Sequence, residues 1–101
     1  MAKIVITGTA GSDIISDPHY YRSAESTFAF FGDFGGGTLS VEASYNVDDS
    51  PDIFIPLKRL DGTLFEVTEN EIHSITLGKC MIRYRISGAT TDPNITVAIR
   101  D

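Results

Sequence analysis

Two runs near the C-terminal end decide the fold: Cys80-Met81-Ile82-Arg83-Tyr84-Arg85-Ile86-Ser87 and Asn94-Ile95-Thr96-Val97-Ala98-Ile99-Arg100. In the first, Ile82, Tyr84 and Ile86 alternate with Met81, Arg83 and Arg85. In the second, Ile95, Val97 and Ile99 alternate with Thr96, Ala98 and Arg100. Successive side chains of a strand point to opposite faces, so alternation with period two marks a strand with one face in a core. Between the runs lie turn formers: Gly88 ends the first strand, and Asp92-Pro93-Asn94 bends into the second. The expectation is an antiparallel pair, each strand giving one face to the core.

The same pattern extends toward the N-terminus. Leu39, Val41, Ala43 and Tyr45 alternate with Thr38, Ser40, Glu42 and Ser44. Ile53 to Leu60 reads as a strand too. Pro56 cannot donate a ladder hydrogen bond, so this strand belongs at an edge or a bulge. Asp61-Gly62 then predicts a two-residue hairpin before Thr63-Leu64-Phe65. Glu71 to Leu77, Ala2 to Thr9 and Thr27 to Phe34 complete about eight short strands, the pattern of an all-β, two-sheet antiparallel sandwich or jelly roll. Thr68-Glu69-Asn70-Glu71 fits a capping box and admits one helical turn. Residues 10–26 show no clear period and read as an irregular loop, of the length that is usually functional or mobile.

A chain of 101 residues makes one domain and buries about two-thirds of its unfolded surface. Fourteen acidic residues against eight basic ones, a formal charge of −6, oppose a phosphate backbone and an anionic membrane surface. Neither nucleic acid nor membrane is an expected partner. Met1-Ala2-Lys3-Ile4-Val5-Ile6-Thr7 has no basic region before a long apolar run, so synthesis in a cytoplasm without a leader is expected. On that reading the glycosylation pattern Asn94-Ile95-Thr96 is accidental.

Each candidate for chemistry has a plainer reading. Gly32-Asp33-Phe34-Gly35-Gly36-Gly37 lacks the following helix and lysine of a phosphate loop, so a turn or kinked strand crossing is expected. Asp48, Asp49 and Asp52 could offer oxygens to calcium, but the longer ligand ladder of an EF-hand is missing, and solvated turn formers are the simpler account. His19, His73 and Cys80 are too few for a zinc site, and Cys80 reads as a small buried hydrophobe. No nucleophile elbow supports a Ser-His-Asp triad. The expectation is a non-enzymatic protein without a cofactor or metal.

Tyr20, Tyr21 and Arg22 are of the residue types that dominate protein interfaces. Against that, one tyrosine can pack under the loop while the other is merely exposed, and loop tyrosines also stack on sugars. Phe28 and Phe30 alternate with Ala29 and Phe31, apolar on both faces, which suggests that the second face is covered by the loop or another subunit. Phe31 and Val5 are therefore further contact candidates.

The run from Phe28 through Gly35-Gly36-Gly37-Thr38-Leu39-Ser40-Val41-Glu42, with Phe54-Ile55-Pro56-Leu57 and the ending Ile82-Arg83-Tyr84-Arg85-Ile86-Ser87-Gly88-Ala89-Thr90, resembles small β-sandwich structural proteins of tailed bacteriophages. The resemblance spans residues 27–101, about three-quarters of the chain. It implies a virion component, a capsid decoration or cement protein or a head or tail accessory. Its partner would be the major capsid or another virion protein, and it would act as a homo-oligomer, for instance a trimer. A carbohydrate- or receptor-binding module of a phage fibre or tail is the other reading.

Overall fold

A computed structural model describes residues 2–21, 24–44, 53–78 and 80–100. The described chain is all β: β1 Ala2–Thr7, β2 Ile14–Ile15, β3 His19–Tyr21, β4 Ala24–Asp33, β5 Thr38–Ser44, β6 Ile55–Pro56, β7 Glu66–Val67, β8 Glu71–Leu77, β9 Cys80–Ser87 and β10 Asn94–Arg100. Four strands form a front sheet in the order β1-β10-β4-β8. The other six form a back sheet, β2-β9-β5-β6, in which β3 also pairs with β9 and β7 with β5. All pairings are antiparallel.

The two sheets pack face to face, as a sandwich does. Ile6, Phe28, Phe30, Ile75, Ile95, Val97 and Ile99 come from the front sheet. Leu39, Val41, Val67, Ile82, Tyr84 and Ile86 come from the back sheet. The Phe30 and Tyr84 rings meet edge to face across the layers, 6.4 Å between centroids. Burial is what holds each strand in register, because a one-residue slip would turn every inward side chain to water.

The strands of the decisive runs do not pair with each other. β9 lies in the back sheet beside β5, whereas β10 lies in the front sheet between β1 and β4. Alternation reveals one apolar face per strand, and two such faces are satisfied equally well side by side or opposed across a core. The connection is long enough to arch between layers. Gly88 turns it with φ 73°, and the amides of Thr90 and Thr91 donate to the Gly35 carbonyl at 2.8 and 3.1 Å.

The glycine run is the matching crossing from β4 to β5, as its composition suggests. Gly35 sits at φ 61°, and a Cβ there would run into the Thr91 carbonyl oxygen of the other crossing. Thus the two arches close one end of the sandwich against each other.

Three other expectations change. Residues 10–26 are not a free loop: β2 and β3 lie along β9, and the chain enters β4 at Ala24. Between the two short strands Ser16 takes over the ladder, its amide donating to the Tyr84 carbonyl and its Oγ accepting from the Tyr84 amide, both at 2.9 Å. Strands of two and three residues, broken at Asp17-Pro18, are too short to show a period. Residues 68–70 form bends and no helical turn, because β8 begins at Glu71 to pair with β4. The hairpin has three turn residues, Leu60-Asp61-Gly62, rather than two. The Arg59 amide donates to Thr63 O (2.7 Å), the Gly62 amide donates to Arg59 O (2.9 Å), and Gly62 takes φ 90°. Of the run Ile53 to Leu60, only Ile55–Pro56 and a bridge at Lys58 pair, and Pro56 lies on the edge of the back sheet as expected.

Candidate functional site

The inner faces of the two sheets are alike, and the outer faces are not. On the front sheet the register aligns Val5, Thr96 and Phe31 in one row across β1, β10 and β4. The next row aligns Lys3, Ala98, Ala29 and Ile72 across all four strands. Val5 is 56% exposed, Phe31 41% and Ile72 73%, while Ala29, Thr96 and Ala98 lie half-buried between them. Polar and charged residues surround this strip: Lys3, Thr7, Glu25, Thr27, Asp33, Asn94 and Arg100 are exposed. Contiguous apolar surface rimmed by polar residues is the mark of an interaction site.

Val5 and Phe31, singled out separately in the sequence, are thus brought together. Ile72 was missed. It stands with Ser74 and Thr76 on the polar side of its strand, and only the pairing Ala29↔Ile72 shows that it extends the strip.

The back sheet's outer face is bound into itself. Glu42 is buried between two arginines: Arg83 Nε donates to Oε1 at 2.7 Å and Arg85 Nε to Oε2 at 2.9 Å. Arg85 also reaches Asp13 Oδ2 at 3.0 Å, and the Arg83 guanidinium lies 4.0 Å from the centroid of the Phe54 ring. Burial pushes the Glu42 carboxyl up, but the hydrogen bonds and charges of Arg83 and Arg85 outweigh it and hold it below the usual carboxylate range.

The tyrosines divide. Tyr20 is exposed, opposite Met81 on the back sheet's edge. Tyr21 belongs to the core, so it offers no contact surface. Its ring packs against Phe28 and its hydroxyl donates to Ser26 Oγ at 2.9 Å. Arg22 lies outside the described residues, as do Asp48, Asp49 and Asp52.

The histidines lie in different sheets. His19 stacks on Tyr84 with Nε2 at 3.1 Å from its hydroxyl, and burial holds its pKa below the usual value. The Tyr84 hydroxyl is itself pushed up by burial. His73 Nε2 contacts Glu71 Oε1 at 2.6 Å and its ring meets Phe65 edge-on, 4.8 Å between centroids. Cys80 is buried, and burial raises its thiol pKa, which suits a packing role. Among the described residues, no three His, Cys, Asp or Glu side chains cluster as a metal site.

A second surface was not legible in the sequence. A groove of about 600 Å³ runs between β8 and the hairpin of residues 57–65, lined by the apolar Leu57, Phe65, Ile75 and Leu77 and by Leu60 and Asp61 of the hairpin tip. No protein-family model matches the chain, and no curated protein or solved structure is found to match it either.

Proposed function

We propose that this chain is a non-enzymatic structural protein of a bacteriophage particle, a decoration or cement subunit that binds neighbouring shell subunits through its front sheet. The observation that carries the binding role is the apolar strip Val5, Phe31, Ile72, Ala29 and Ala98 on an otherwise polar face. Covering such a strip returns roughly 25 cal/mol per Å² of apolar area removed from water. A subunit that binds only the assembled shell adds its binding free energy to the shell's stability. The particle itself enters from the resemblance of residues 27–101 to phage β-sandwich proteins, including the glycine crossing that here joins β4 to β5.

The test is composition and stability of the particles of the phage that encodes the chain. Purified virions should contain the protein, and particles lacking it should lose heat resistance and regain it on addition of the purified protein. Virions without the protein, or equally stable without it, would end the proposal. The exposed ring of Tyr20 favours a second reading, sugar binding by a fibre or tail module. Binding on a glycan array and none to shells would select it.

A further inference from the structure

Among the described residues, four of the nine exposed large hydrophobic side chains, Ile53, Ile55, Leu60 and Leu64, lie within twelve residues at the free edge of the back sheet. They belong to a different sheet from Val5, Phe31 and Ile72, so the strip described above does not account for them. Leu60, at the hairpin turn, exposes its whole side chain. Beside it, Asp61 accepts the amide (2.9 Å) and the hydroxyl (2.6 Å) of Thr63, both on Oδ1, which leaves Oδ2 for another donor. Those bonds from Thr63 lower the Asp61 pKa, so the carboxylate is charged near neutral pH.

The groove beside this hairpin has the complementary features. Leu57, Phe65, Ile75 and Leu77 line it, the hairpin's own Leu60 and Asp61 form part of its near wall, and β8 along its far wall has a strand neighbour on one side only. Arg59 is already occupied: Nη2 donates to Glu66 O at 2.8 Å and the guanidinium lies 5.2 Å from the Phe65 ring centroid. Lys58, on the rim, makes no hydrogen bond or ion pair among the described residues. The groove therefore fits an apolar knob followed by an anion, and the chain carries that pair itself in Leu60-Asp61.

We propose that the 57–65 hairpin is a self-association surface on which two copies exchange tips about a two-fold axis. Each Leu60 enters the other copy's groove, and each Asp61 Oδ2 pairs with the other copy's Lys58. A two-fold makes both contacts occur twice, as an isologous interface requires. Like chains of formal charge −6 repel, so they associate best where charge is locally balanced. The hairpin is such a place, with Lys58 and Arg59 against Asp61. This pairing is independent of the front sheet and of the virion reading.

Sedimentation velocity over a concentration series tests it on the full chain. A reversible dimer is expected, with the dissociation constant raised at least about tenfold by Leu60→Asp and by a smaller factor by Lys58→Glu. Val5→Asp on the front sheet should leave it unchanged. Leu60 is wholly exposed, so Leu60→Asp should keep the wild-type circular dichroism spectrum, and Leu60→Ser serves as a second variant. A wild-type chain monomeric at every concentration would overturn the proposal. So would a dimer that Leu60→Asp and Leu60→Ser leave intact, or one that only Val5→Asp dissolves.

Discussion

The two outer faces of this sandwich are built on similar strands and reach opposite solutions. On the back sheet, Glu42 satisfies Arg83 and Arg85, Arg85 satisfies Asp13, and Phe54 lies against Arg83. These four charges are spent on one another. On the front sheet, two adjacent rows hold Val5, Phe31, Ala29, Ala98 and Ile72, which gain nothing from water. The difference teaches that alternation identifies an outer face but not its use. A face whose polar groups are internally paired reads as scaffold, and one that presents apolar groups in a row reads as a contact.

The strongest way to break this comparison is at Glu42. Replacing it with alanine leaves two arginines without their shared carboxylate, and partial exposure of both lets water compensate some of the loss. The expected cost is about 2 kcal/mol, read by urea denaturation. A cost below that of an ordinary surface substitution would show that the back face is not held by its network. The same carboxyl gives a pH dependence. Its folded pKa lies below the unfolded value, so its contribution is present above the usual carboxylate range and is lost as pH falls through the folded value. Acid denaturation of Glu42→Gln should lack that part of the loss.

His19 sharpens the comparison at the edge of the same sheet. Its folded pKa is lowered by burial, so below the ordinary histidine value the unfolded chain binds a proton that the folded chain resists. Stability should therefore be full above that value and fall as pH drops below it, by no more than about 1.4 kcal/mol per pH unit for one proton. His19→Gln, which retains a partner for the Tyr84 hydroxyl, should flatten the slope. An unchanged slope would remove His19 from the account. A smaller effect is expected at Phe54: substitution by leucine removes the ring under Arg83 and should cost about 0.5–1 kcal/mol by thermal unfolding.

Much of this was legible in the residues. β5, β9 and β10 announce themselves by period two, and Pro56 marks its edge. Phe31 is visible as a contact candidate because Phe30 beside it already fills the inner face. What alternation cannot carry is which strand neighbours which. That hid the separation of β9 from β10 and the meeting of Glu42 with Arg83 and Arg85. It also hid the place of Ile72 beside Ala29. β2 and β3 were hidden differently, because their order comes from hydrogen bonds to β9 and not from any pattern of their own.

The smallest expected effect on stability is on the front face, where Phe31→Thr or Ile72→Thr should change it by no more than about 0.5 kcal/mol. That near-silence makes the front face the place for the most direct measurement of the proposed virion role: cosedimentation of the purified chain with emptied phage particles. The wild-type chain should bind, and a folded Phe31→Asp, Ile72→Asp double variant should bind at least about tenfold more weakly. Glu42→Gln, altered only on the back face, should bind as wild type. A folded double variant that binds as tightly as wild type would contradict the front sheet as the contact surface.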